Sequence, residues 1–132
     1  MGKFFATIGL TATVAVLAWA IPASAHTAAA KGTVVTVTAG KPTELAFQIS
    51  TKTVKHGAVT FKVTNKGALS HDFRICSKGG TASTCSGKTT ALLKPGASAT
   101  LSYTFKKAGM YEYLCTVPGH AAAGMKGQIK VT

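Results

Sequence analysis

The stretch YLCTVPGHAAAGM, running from Tyr113 to Met125, decides the reading of this chain. It sets Cys115, His120 and Met125 at successive steps of five residues. On a helix, with ~3.6 residues per turn, a step of five swings the side chain ~140° away from the one before. On a strand, an odd step points it to the opposite face. Neither regular element can aim all three at one point. A loop that closes on itself can, and Pro118, Gly119 and Gly124 supply the turn-forming residues for one. A thiolate, an imidazole and a thioether form a soft donor set that suits copper better than magnesium or calcium. A fourth ligand is then expected upstream, and His71, within LSHDF (Leu69 to Phe73), is the candidate.

With those residues in place, the stretch from Gly57 to Val131 resembles the cupredoxins, the small blue-copper electron carriers. The C-x4-H-x4-M loop is most similar to the rusticyanin-type ligand loop; the plastocyanin loop has a shorter interval between Cys and His. The resemblance implies a cupredoxin-like Greek-key fold and one copper ion in a type-1 site, cycling between Cu+ and Cu2+. His71, Cys115 and His120 would be the strong equatorial ligands and Met125 the weak axial one. It also implies that the backbone N–H after the first histidine, here that of Asp72, donates to the cysteine sulfur. Many relatives carry Asn or Ser at that place. The carboxylate of Asp72 is therefore a departure, expected to favour the oxidised metal and lower the potential.

The rest of the chain reads as short strands. Thr33 to Thr38 is β-branched. Leu45 to Ile49 alternates apolar and polar residues, and Ala58 to Thr64 does so with Val59, Phe61 and Val63 on one face. Asn65, Lys66 and Gly67 mark a turn. Ser98 to Phe105 alternates with Leu101, Tyr103 and Phe105 together, Met110 to Cys115 leads into the ligand loop, and Gln128 to Val131 closes the chain. Strands this short, bounded by Gly, Pro, Asn or Lys, predict an all-β, antiparallel sandwich or barrel. Residues 76–90 read as an insertion.

The chain has 132 residues, room for one domain. Lys3, the apolar run from Phe4 to Ala20, and Ala23-Ser24-Ala25 have the layout of a secretory signal with an A-x-A cleavage site. The alternative is a retained membrane anchor, against which Thr7, Gly9, Thr11 and Thr13 interrupt the run. The expected organisation is a signal over 1–25, a flexible mature N-terminus over 26–32 and a cupredoxin domain over 33–132, with the protein exported to the periplasm or another extracytoplasmic face. The three cysteines agree. Cys115 takes the role of the unpaired thiol. Cys76 and Cys85, in a Gly/Ser/Thr-rich segment, would pair as a disulfide in an oxidising compartment; two free thiols or a second metal site are the other readings.

Charge is lopsided, with 15 Lys plus Arg against Glu44, Asp72 and Glu112, a formal net charge of +12. The lysines are spread along the chain with no aromatic-interleaved basic patch, which argues against nucleic-acid binding. A basic surface would steer the protein toward a redox partner with an acidic docking face, or into peripheral contact with an anionic membrane. A c-type cytochrome or a terminal oxidase is the partner the family resemblance implies, with the protein itself a monomer. With three acids in the chain, two-carboxylate enzyme chemistry is hard to build. The leading expectation is a non-enzymatic one-electron carrier. The alternative is an exported copper chaperone or storage protein, which would usually display Met and His in exposed runs. Met110 reads as core or loop packing, and His56 as a solvated turn residue.

Overall fold

Val59, Phe61 and Val63 alternate with polar residues along a single run, and this run is the centre of the molecule. The computed structural model describes Gly2 and residues 32–77 and 84–132. The expected signal (1–25), most of the expected N-terminal tail and the middle of the disulfide segment lie outside the described residues. Within them there is no helix, and nine strands are present. They are β1 (Thr33–Ala39), β2 (Phe47–Ile49), β3 (Thr53–Val54), β4 (Gly57–Asn65), β5 (Arg74–Cys76), β6 (Gly87–Thr89), β7 (Ser98–Phe105), β8 (Gly109–Leu114) and β9 (Lys126–Val131).

They form two sheets, β2-β1-β4-β7 and β3-β9-β8-β5-β6. The chain crosses between the sheets repeatedly, so spatial neighbours are often distant in sequence, as in a Greek key. Both sheets are mixed. The β1–β4 and β3–β9 pairs are parallel, whereas the other pairs are antiparallel as expected. Side-chain alternation reports which face of a strand is buried and is blind to strand direction, so those two pairings had no sequence signal. β3, β5 and β6, of two or three residues each, were also not anticipated. Cys76 and residues 87–89, assigned from sequence to an insertion, belong to the second sheet, where Cys76 pairs with Gly87, and Lys88 and Thr89 pair with Ile75 and Arg74.

The apolar faces of the two sheets meet in one core. Val35 and Val37 of β1, Val59, Phe61 and Val63 of β4, and Leu101 and Phe105 of β7 pack against Ile75, Tyr113, Ile129 and Val131 of the second sheet. Phe73 sits between them, with its ring 5.2 Å from Phe47, 5.4 Å from Phe61 and 5.4 Å from Tyr113. Full burial of a side chain of this size contributes about 1.5–3 kcal/mol. Because Phe73 lies two residues after His71, that packing also holds the first candidate ligand at the end of the sandwich.

Asn65 adds a polar brace. Its buried side chain donates to the carbonyls of Leu69 (2.7 Å) and Leu93 (2.8 Å) and accepts from Gly67 N–H (2.9 Å). The predicted turn at Asn65 is thus also the clamp that closes the loop leading to His71.

Candidate metal centre

His71 forms an isolated antiparallel bridge with Leu93, donating from its N–H to the Leu93 carbonyl (3.0 Å) and accepting at its own carbonyl from Leu93 N–H (2.7 Å). Its side chain is fully buried. Cys115 follows the last residue of β8, and its N–H donates to the Met125 carbonyl (3.0 Å). The loop between them folds back through further main-chain bonds: Ala123 N–H to Gly119 O (2.9 Å), Gly124 N–H to Ala121 O (3.1 Å) and Met125 N–H to His120 O (3.0 Å). Gly119 (φ 83°) and Gly124 (φ 108°) take left-handed conformations that side-chain-bearing residues avoid. This is the self-closing loop that steps of five require.

The closure brings the donors together. His71 Nδ1 and His120 Nδ1 are 3.2 Å apart, and Cys115 Sγ is 3.6 Å from His120 Nδ1. The ligand atoms of His71, Cys115 and His120 all lie within 4.8 Å of one another. For comparison, donors bound at ~2.0–2.3 Å and spread ~120° around a metal would be separated by roughly 3.5–4 Å. Three donors of types that suit copper, at about that spacing, fit one ion. Met125 is fully buried and packs in one cluster with Cys115 and Ala39, beside Leu45, Phe47 and Val117. All four residues expected at the site are therefore gathered at one end of the sandwich.

Without a metal, the local electrostatics hold both Cys115 and His120 in their neutral forms. Burial pushes the Cys115 thiol up to about 11, opposed by the backbone N–H groups of Asp72 and Val117. The first of those is the donor that the family resemblance implies. The charge of the Asp72 carboxylate also bears on the sulfur and raises its pKa. That carboxylate is nearly buried and accepts from Thr116 N–H (2.6 Å) and from the Thr116 hydroxyl, tying the His71 segment to the Cys115 loop. Burial lowers the pKa of His120, helped by the neighbouring His71, and so keeps the imidazole neutral and able to ligate.

One participant was not found from the sequence. Glu44, in the loop between β1 and β2, accepts from His71 Nε2 at 2.9 Å. It stands 27 residues upstream with no motif around it; the scarcity of acids in this chain was the only clue. The other two histidine and methionine assignments divide. His56 is exposed, as expected, with its N–H bonded to the Thr132 carbonyl (2.8 Å). Met110, read as core or loop packing, lies in β8 and is 58% exposed, so it is not part of the core.

Residues 33–132 match the family described as copper binding proteins, plastocyanin/azurin family. The chain belongs to that family. It is a cupredoxin by fold as well. A reduced auracyanin from Roseiflexus castenholzii superposes with a TM-score of 0.61 at 26% identity, covering 79% of this chain and 99% of that one. Rusticyanin from Thiobacillus ferrooxidans gives a TM-score of 0.61 at 26% identity, covering 79% of each. Among curated proteins, the copper-resistant cuproprotein CopI of Rubrivivax gelatinosus is 33% identical over 100 residues, covering 64% of this chain and 59% of that protein. The chain spans 22% and 18% of the lengths of two other curated relatives.

The disulfide is also present, between Cys76 and Cys85. It packs with Leu114 and Ala121, the residues immediately before Cys115 and after His120.

Proposed function

We propose that this cupredoxin is an exported type-1 copper protein that carries single electrons between redox partners and is not an enzyme. His71, Cys115, His120 and Met125 would hold the copper ion. The observation that carries this reading is the convergence of two imidazoles and one free thiol within 4.8 Å, on a loop locked by main-chain bonds. Copper bound there supplies one-electron chemistry between Cu+ and Cu2+. The protein's part is to hold the donors so that little moves when charge changes. The bridge to Leu93, the Asp72–Thr116 tie and the burial of Phe73 all serve that rigidity.

His120 is the proposed point of electron exit. It is partly exposed, and its neighbours Pro118, Gly119, Ala122 and Ala123 are exposed, small and uncharged. Leu69 (48% exposed) and Leu92 (60% exposed) are further exposed apolar side chains, on the two segments beside His71 that Asn65 ties together through the carbonyls of Leu69 and Leu93. A partner can approach with little side-chain ordering cost. The net charge of +12 favours one with an acidic rim, such as a c-type cytochrome or terminal oxidase. Residues 1–25 are read as a signal cleaved after Ala25. The Cys76–Cys85 disulfide supports an oxidising, extracytoplasmic location.

A second reading is copper handling, favoured by the likeness to a protein named for copper resistance. The test is copper(II) titration of the purified protein, followed by visible absorption and voltammetry. Intense thiolate-to-copper absorption, lost in Cys115→Ser, with a reversible one-electron wave is the expected result. A pale adduct with no reversible wave, and ready transfer of metal to a competing protein, would support the handling role instead.

A further inference from the structure

Two loops approach each other at the end of the sandwich more closely than any side chains would allow. A Cβ on Gly40 would lie 2.3 Å from Gly67 Cα, and one on Gly67 would lie 2.4 Å from Glu44 Oε1 and 3.0 Å from His71 Nε2. The first loop is held to the second by Lys66 N–H donating to Ala39 O (2.9 Å), and is closed on itself by Gly40 N–H donating to Ala46 O (3.0 Å). The effect is to seat Glu44 against the loop that carries His71. Its carboxylate accepts three bonds: Ala68 N–H to Oε2 (2.9 Å), Leu69 N–H to Oε1 (2.8 Å) and His71 Nε2 to Oε1 (2.9 Å). The side chain is 35% exposed, so the carboxylate is held by directed bonds more than by enclosure.

We propose that Glu44 is a positioning residue for the metal centre: by accepting the Nε2 proton of His71 it keeps Nδ1 as the lone-pair donor facing Cys115 and His120, before any metal arrives. A neutral imidazole has one N–H and one lone pair, and a carboxylate can only accept. With the His71 proton on Nε2, the 3.2 Å contact between the two Nδ1 atoms requires that His120 carry its proton on Nδ1 in the metal-free protein. A metal held there would take the place of the His120 Nδ1 proton, which moves to Nε2 of the same ring, and of the Cys115 thiol proton, which leaves to solvent, while His71 needs no rearrangement. Partners of this kind orient a ligating histidine and make it a better donor, and their loss typically costs 10–100-fold in metal affinity. The negative charge also favours the oxidised metal. This inference rests on the copper reading for its consequences, but the placement of the proton on His71 can be measured without copper.

The experiment is long-range 1H–15N NMR of the metal-free, full-length protein at neutral pH, paired with copper(I) competition against a chromophoric chelator. Wild type is expected to show His71 as the Nε2–H tautomer and His120 as the Nδ1–H tautomer. Glu44→Gln keeps an acceptor oxygen and loses the charge. It should retain the His71 tautomer and bind copper more weakly than wild type, with a raised reduction potential. Glu44→Ala should mix the His71 tautomers and weaken binding 10–100-fold. Gly67→Ala leaves Glu44 in place but displaces its carboxylate, and should reproduce the tautomer mixing; this variant keeps the test open if Glu44→Ala fails to fold. An unmixed Nε2–H tautomer in folded Glu44→Ala or Gly67→Ala overturns the proposal. So does wild-type His71 protonated on Nδ1. If wild type shows the expected tautomers but copper gives no thiolate absorption, the copper reading fails and the positioning of His71 stands.

Discussion

Removing the Cys76–Cys85 disulfide by the double substitution Cys76→Ala/Cys85→Ala separates two ways in which the β5–β6 region holds the ligand loop. The cross-link joins residues 9 apart, and on the chain-entropy relation a closed loop of about ten residues stabilises by ~2.7 kcal/mol at 25 °C. At ~4–8 °C per kcal/mol for a domain of this size, the melting temperature should fall by roughly 10–20 °C. The structure also contains a competing brace. Arg74 donates through Nε to Thr89 Oγ1 (2.5 Å) and through a terminal nitrogen to Cys85 O (2.7 Å), and Ser77 N–H donates to Ser86 O (2.7 Å). These bonds do not need the cross-link. The assay is urea and thermal unfolding of the metal-free protein, followed by the visible spectrum after copper loading. The expected result is a loss of about 2–3 kcal/mol with the thiolate absorption retained but shifted, because Leu114 and Ala121 lose the sulfur atoms they pack against. A loss below about 1 kcal/mol with an unchanged spectrum would refute the reasoning and assign the support to Arg74 and the β5–β6 pairing.

Three further outcomes are expected. Asp72→Asn removes a charge that is felt at the Cys115 sulfur; two unit charges ~8 Å apart at an effective dielectric of ~20 interact by about 2 kcal/mol, so voltammetry should show the potential rising by tens of millivolts, up to roughly 90 mV. An unchanged or lower potential counts against this account. Ala122→Glu, on the exposed surface beside His120, should slow electron transfer to an acidic partner while leaving the visible spectrum intact; loss of colour would instead mean that the alanines serve the loop's shape. For the metal-free protein, folding holds His120 below its ordinary pKa of 6.5, so the unfolded chain binds more protons and stability should fall as pH drops below 6.5. The bonds from Ala68, Leu69 and His71 pull Glu44 from 4.5 to about 2, a contribution present above pH 4.5 and lost as pH falls toward 2. Urea midpoints measured from pH 8 to pH 2 should show both losses, and Glu44→Gln should abolish the lower one.

The likeness to rusticyanin and auracyanin carries the fold, and two acidic side chains of this chain stand beside the gathered donors. Asp72 and Glu44 place two carboxylates next to the ligand set in a protein that has only three acids in all. One ties the His71 segment to Thr116 and the other sits behind the His71 ring. Both would favour the more highly charged state of a bound copper ion, so a modest potential is the expected outcome of voltammetry.

The ligand loop was legible before folding because its constraint is local. Steps of five between Cys115, His120 and Met125, with glycines at 119 and 124, are compatible with one kind of backbone path, and the same residues that bend the chain bring the donors together. Strands β4 and β7 were legible for a similar reason, since period-two alternation over seven or more residues is a direct imprint of a half-buried sheet, and β1 was legible from its run of β-branched residues. The parallel pairing of β1 with β4, the strand character of 87–89 and the contact of Glu44 with His71 were not. Each depends on where a distant segment comes to rest, which is set by packing of the two sheets around Phe61 and Phe73 and by the close approach of Gly40 to Gly67. A sequence states which side chains prefer to be buried or to turn; only the folded chain decides which carboxylate ends up 2.9 Å from an imidazole 27 residues away.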